Sequence, residues 1–308
     1  MTGPTTNVQG AIPARAIPAQ KALADQQFSL ADIDPIGRSE VLIYAPPGGG
    51  KTVLAATFPP PFRWLAADGK TCLKSVQWAW KQGLTSIKDP ATDLIGFAPT
   101  EVMKDALVVD AVAFDHACDM IDHWFSPAEI VKWKGGTLVI DSGTTLDEWT
   151  LNKGLVQNSI LPDPKKPLSR SHEINKKAMA RIITGEQDYK SGMGLFYGFI
   201  QEVRVECAKH EVNLVLLCHE WTERSEEGNV ISYRPLLTGQ LRERISKDFD
   251  DIWYVEKLHG VRGPEFSVMA HGDPRHLGKS RWGTILDRTE PADFRQIIKK
   301  VKDFHGIK

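Results

Sequence analysis

Apolar positions along the 308-residue chain fall into short unbroken runs, separated by stretches where they recur at three- and four-residue spacing. Val41-Leu42-Ile43-Tyr44-Ala45 is the first run, closed by Pro46-Pro47-Gly48-Gly49-Gly50, and a helical pattern follows from Lys51 to Thr57. Arg63 to Ala67 reads as a second strand, ending at Asp68-Gly69. Ala113, Phe114, Ala117, Cys118, Ile121, Trp124 and Phe125 share the spacing of an amphipathic helix. Thr137 to Ile140 and Asn213 to Cys218 are strands apolar on both faces, ended by Asp141 and His219. A polar stretch runs from Thr150 to about Asp188, and a helix is expected from Gly194 to His210. Further strands are expected around Val230–Tyr233, Asp251–Glu256 and Glu265–Ala270, and a last helix over Ala292–Phe304.

Strands apolar on both faces, alternating with helices, belong in a mostly parallel sheet covered on both sides. The expected fold class is therefore α/β, a mostly parallel central sheet with helices on both faces. Residues 1–27 are rich in Ala, Pro, Gln and Thr and read as a flexible tail, leaving 28–308 as the folded core.

Composition narrows this picture only a little. At 42% hydrophobic and 25% charged the chain is globular, and a net charge of -1 argues against nucleic acid coating its whole surface. A local basic groove remains compatible with that balance. No run of eighteen apolar residues occurs, so no membrane partner is expected. Cys72, Cys118, Cys207 and Cys218 are scattered, which disfavours a structural zinc site or a disulfide framework and suits a cytoplasmic setting.

The chemistry begins at Ala45-Pro46-Pro47-Gly48-Gly49-Gly50-Lys51-Thr52, which matches GxxxxGK[ST] except at Ala45. Small residues let backbone N–H groups wrap phosphates closely, so Pro47, Gly48, Gly49, Gly50, Lys51 and Thr52 are expected to bind ATP. Lys51 supplies a charge for the outer phosphates, and the Thr52 hydroxyl a ligand for Mg²⁺. Asp141, at the end of a buried strand, is the expected second group for the magnesium shell. Asp68 is the first candidate for the base that activates water, with Asp147 and Glu148 as rivals.

This order of parts resembles the RecA-like P-loop ATPases, and more narrowly the phage Sak-type single-strand annealing recombinases. The features that carry the resemblance are APPGGGKT, WLAADG ending in Asp68, TLVIDS containing Asp141, and Lys279-Ser280-Arg281-Trp282-Gly283, similar to the KNRFG motif of the RadA branch. The stretch LLTGQLRERISKDFDDIWYVEK also looks like the phage family, and the likeness covers residues 36 to about 290 in order. It implies a RecA-like core, ATP-dependent binding of single-stranded DNA, and annealing or strand exchange, in host cytoplasm if the chain is phage-encoded. It implies a homo-oligomer, ring or filament, in which Lys279 and Arg281 reach a neighbour's γ-phosphate. It places His219 as a γ-phosphate sensor and makes a separate single-strand binding protein a candidate partner. The alternatives are a nucleotide-gated DNA-binding module with little hydrolysis, or another RecA-like motor.

The segment 151–190 carries eight basic residues against four acidic ones. It follows Asp141, where RecA-like proteins carry a first DNA loop. Lys153, Lys165, Lys166, Arg170, Lys176, Lys177 and Arg181 are the expected phosphate contacts. Of the nine tryptophans, Trp64, Trp78, Trp80 and Trp124 sit in apolar patterns and are expected in the core. Trp149, near the start of the basic segment, is the better candidate among them for base stacking.

Overall fold

The computed structural model describes residues 34–99, 106–157, 186–260 and 263–307. The chain divides into a compact unit over residues 1–37 and a second over residues 38–308. In the first, only residues 34–37 are described; there the Asp34 carboxylate accepts the Ile36 N–H at 2.9 Å. The expected tail, residues 1–27, lies outside the described residues.

The second unit is built on a sheet. Its strands are β1 (Glu40–Ala45), β2 (Phe62–Ala66), β3 (Leu94–Phe97), β4 (Thr137–Asp141), β5 (Asn213–Arg224), β6 (Val230–Pro235), β7 (Asp251–Gly260), β8 (Gly263–Met269) and β9 (Thr289–Pro291). Its helices are α1 (Lys51–Ala55), α2 (Lys74–Lys81), α3 (Pro90–Asp93), α4 (Ala106–Trp124), α5 (Pro127–Ile130), α6 (Gly143–Gln157), α7 (Glu186–Lys209), α8 (Leu241–Asp248) and α9 (Phe294–His305).

The strand order is β3-β2-β4-β5-β1-β7-β8-β9, with β6 paired to β5 as a hairpin. The strands from β3 to β7 run parallel, while β8 and β9 continue antiparallel. Every residue of β1, β2 and β4 is buried, which is why these segments read as continuous apolar runs. On one face Leu42, Leu65, Leu138, Ile140 and Leu216 pack with Phe114, Leu146, Trp149 and Phe199 from α4, α6 and α7. On the other face Phe58 stacks on Phe294 of α9 at 3.7 Å and meets Trp253 of β7. The observed class is thus the expected one, α/β with a mostly parallel sheet between helices. Among the described residues no helix is long and apolar enough to cross a membrane.

Several boundaries differ from the sequence reading. The polar stretch after Thr150 is helical to Gln157, and α7 begins at Glu186. β5 runs on past His219 to Arg224, because β6 pairs with that extension. Two tryptophan assignments are corrected. Trp78 is not core: it is 58% exposed on α2, whose buried residues are Val76 and Ala79. Trp149 is not a surface stacking residue: it is 1% exposed, inside the α4–α6–α7 core.

Candidate functional site

β1 lies between β5 and β7 and releases the chain into the glycine loop at its carboxyl end. The next strand in sequence, β2, lies on the far side of β5 and β4. Such a switch point opens a crevice where α/β sheets hold ligands. Ala45 closes β1 in register with His219 and is not among the positive-φ residues, so alanine serves where the motif usually has glycine. Gly50 does need to be glycine. Its φ is 89°, and an added Cβ would come within 2.7 Å of the Phe266 ring from β8.

Five side chains predicted from sequence meet here. The Lys51 ammonium donates to the carbonyls of Ala45, at 2.8 Å, and Pro46, at 3.2 Å. Burial lowers its pKa, and the nearby Asp141 charge opposes that shift. The Thr52 hydroxyl donates to Asp141 Oδ2 at 3.2 Å. Burial, helped by the charge on Asp68, pushes the Asp141 carboxyl up to about 6, against the Thr52 hydrogen bond and Lys51. Asp68 follows β2, and its N–H donates to the Asp141 carbonyl at 3.2 Å. Its carboxylate accepts from Ser142 Oγ at 2.9 Å and from Thr145 Oγ1, and His219 Nε2 lies 3.3 Å away. Burial works to raise its pKa, but these three hydrogen bonds outweigh burial and hold it below the ordinary carboxylate value.

The donor set fits a magnesium–nucleotide. A hydroxyl and a carboxylate face each other at metal-ligand spacing, and hard oxygen ligands suit this cation. Thr52 and Asp141 are the residues that would hold the metal.

The rivals of Asp68 lie elsewhere. Asp147 is buried, and its carboxylate accepts the Thr238 N–H at 2.6 Å, so it caps the turn before α8. Glu148 is exposed further along α6. Sequence reading missed Ser142 and Thr145, which hold Asp68 in place. The run Asp141-Ser142-Gly143-Thr144-Thr145 carried a signal, since hydroxyl residues after an acidic strand end can turn back on a neighbouring carboxylate.

Lys279 and Arg281 do not join this group. The Lys279 backbone pairs with Ile252 at the start of β7, and its ammonium lies 3.5 Å from the Lys247 carbonyl. The Arg281 guanidinium donates to the Arg38 carbonyl and to Ser39 Oγ, both at 2.6 Å, just before β1. The Arg281 guanidinium therefore sits at the amino end of β1, about 20 Å from the glycine loop across the six residues of that strand, while Lys279 lies beside β7 at a residue level with Leu42. Arg281 also pairs with Asp251, at 3.4 Å, and Asp250, at 3.5 Å. Within its own chain Arg281 is thus an anchor between the start of β7 and the stretch before β1.

Asp251 is fully buried, and its carboxyl is pushed up to about 6 by burial despite Arg281. Arg281→Ala would leave that charge uncompensated, so the variant is expected to lose about 3 kcal/mol in urea unfolding at pH 7.5. The folded Asp251 holds its proton more tightly than the unfolded chain does. The deficit should therefore shrink as pH falls toward 5, and Asp251→Asn in the same chain should recover part of it. Unchanged unfolding of Arg281→Ala would reject the anchoring role.

Of the basic segment's expected phosphate contacts, Lys153 alone is described. Lys153 pairs with Asp115 at 2.7 Å, with both side chains largely buried, so its charge is matched within the chain. Lys165, Lys166, Arg170, Lys176, Lys177 and Arg181 lie outside the described residues.

No protein-family model matches the chain, and no curated protein matches it. Among solved structures the chain is similar to the flagellar accessory protein FlaH from Methanocaldococcus jannaschii. The TM-score is 0.41 and the identity 10%, over 83% of this chain and 88% of that one.

Proposed function

We propose that this RecA-like core binds and hydrolyses ATP, and uses that cycle to bind single-stranded DNA and promote annealing or strand exchange. The observation that carries the reading is the meeting of Lys51, Thr52, Asp68, Asp141 and His219 where β1, β2 and β4 end and β5 passes beside them. Loop amides cradle the phosphates, and the Lys51 ammonium leaves the Ala45 and Pro46 carbonyls for them. The magnesium ion, when bound, neutralises charge on the outer phosphate oxygens. Asp68 orients the attacking water and takes its proton as the water oxygen bonds to the γ-phosphorus and the bond to the bridging oxygen breaks. His219, between Asp68 and the loop, reports the terminal phosphate to β5 and its hairpin. The DNA half of the reading is supported by the resemblance of the motifs and by the basic residues of 158–185. Assembly into a homo-oligomer, with Lys279 facing the neighbour's nucleotide, belongs to the same proposal.

One observation favours a second reading. Three donors hold Asp68, and a carboxylate with a lowered pKa is a weaker base. A nucleotide-gated DNA-binding module with slow hydrolysis would have such a site. Phosphate release with and without oligothymidylate, run beside annealing of complementary strands, separates the two. DNA-stimulated turnover with nucleotide-dependent annealing is expected. Nucleotide-dependent DNA binding without turnover would favour the second reading, and neither binding nor turnover would reject both.

A further inference from the structure

The helix α2 carries Lys74, Trp78 and Lys81 at positions i, i+4 and i+7, which place them on one face. All three are exposed, and Trp78 is 58% exposed. Lys70, in the 3-10 turn before α2, and Lys88, after it, are exposed as well. Beside this face lies a cavity of about 320 Å³, with apolar walls from Leu73, Val76, Trp80, Ile87 and Leu94 and Lys70 at its rim. That volume is at the small end of ligand pockets and suits a single flat ring rather than a folded ligand. The acidic residues of the adjoining α3 are turned to backbone amides. Asp89 accepts the Ala91 N–H at 3.0 Å, while Asp93 accepts those of Lys88 and Asp89 at 2.7 and 3.0 Å. The charged residues of α2 itself are all lysines.

We propose that this face is a single-stranded DNA site, in which a base stacks on Trp78, its neighbour enters the adjoining cavity, and Lys74 and Lys81 track the backbone. Alternation of aromatic planes with lysines is the chemistry that holds a single strand without reading its sequence. A protein or folded duplex does not need an exposed indole between two ammonium groups. The site also has a direct route to the nucleotide, since only Gly69 and the 3-10 turn separate Asp68 from α2. A strand laid on α2 thus bears on the group proposed to activate water. This inference rests on the DNA-binding reading and moves part of that contact from the 151–190 segment to α2.

The test measures anisotropy of a fluorescein-labelled oligothymidylate against protein, with ATP and Mg²⁺ present, at several salt concentrations. Trp78→Ala is expected to weaken binding about tenfold, and Trp78→Phe to keep most of it. Lys74→Ala with Lys81→Ala is expected to flatten the slope of log K against log salt by about 1.4. Melting temperatures should stay at the wild-type value, because all three side chains are exposed. If the wild type binds and every variant binds equally, the α2 site is rejected while the DNA reading stands. If the wild type does not bind at all, both fall. A change of tryptophan emission that follows protein concentration and ignores DNA would show a second copy covering the face, and would also overturn the proposal.

Discussion

Lys51→Ala is expected to reduce ATP turnover by roughly a thousandfold, the scale on which removing a preorganised charge from a transition state acts. The ammonium is buried at the mouth of the loop, and the nearby Asp141 charge supports its charged form. Two carbonyls now hold it, and phosphate oxygens are stronger partners for an ammonium. The same substitution removes a charge whose burial is unfavourable, so the variant should fold and unfold at least as well as the wild type. Lys51→Arg should also be inactive, because a planar fork does not replace a point charge in a close-fitting loop. Phosphate release, with urea unfolding as the control, checks this. Turnover near the wild-type level in Lys51→Ala would remove the loop from the chemistry.

Asp68→Asn is expected to cost hydrolysis about a thousandfold while nucleotide binding persists. Asparagine keeps the shape that Ser142 and Thr145 grip but cannot take a proton. A second effect follows from the electrostatics. The Asp68 charge is one cause of the raised pKa of Asp141, after burial. Removing it lets Asp141 ionise at lower pH, so the midpoint of magnesium-dependent nucleotide binding should move to lower pH in Asp68→Asn. Titrating a fluorescent nucleotide between pH 5 and 8 reads that midpoint. Full hydrolysis in Asp68→Asn would pass the role to Glu148, since Asp147 is committed to the Thr238 N–H.

What the sequence by itself determined is what a short stretch of chain must do locally. The strand into the glycine loop, the Lys51–Thr52 pair and the acid after the buried strand are each dictated by neighbours within about eight residues. A phosphate loop needs small residues followed by a cation and a hydroxyl, and a strand buried on both faces must be apolar throughout. The α/β class followed from the same runs. Tertiary structure alone decided which charges are matched and which aromatics are covered. Lys153 meets Asp115 across 38 positions, and Arg281 meets Ser39 across 242. Asp68 takes its partners from 74, 77 and 151 residues away. A lysine that pairs with a distant carboxylate looks, in sequence, like one that waits for a phosphate. Trp149 and Trp78 show the same limit for burial. In the eight-residue α2 two turns fix the apolar stripe too loosely, and Trp78 falls outside it. Trp149 looks polar by its neighbours, yet α4 and α7 close over it. The exposure of each ring is a property of the helices packed against it, which no window along the chain contains.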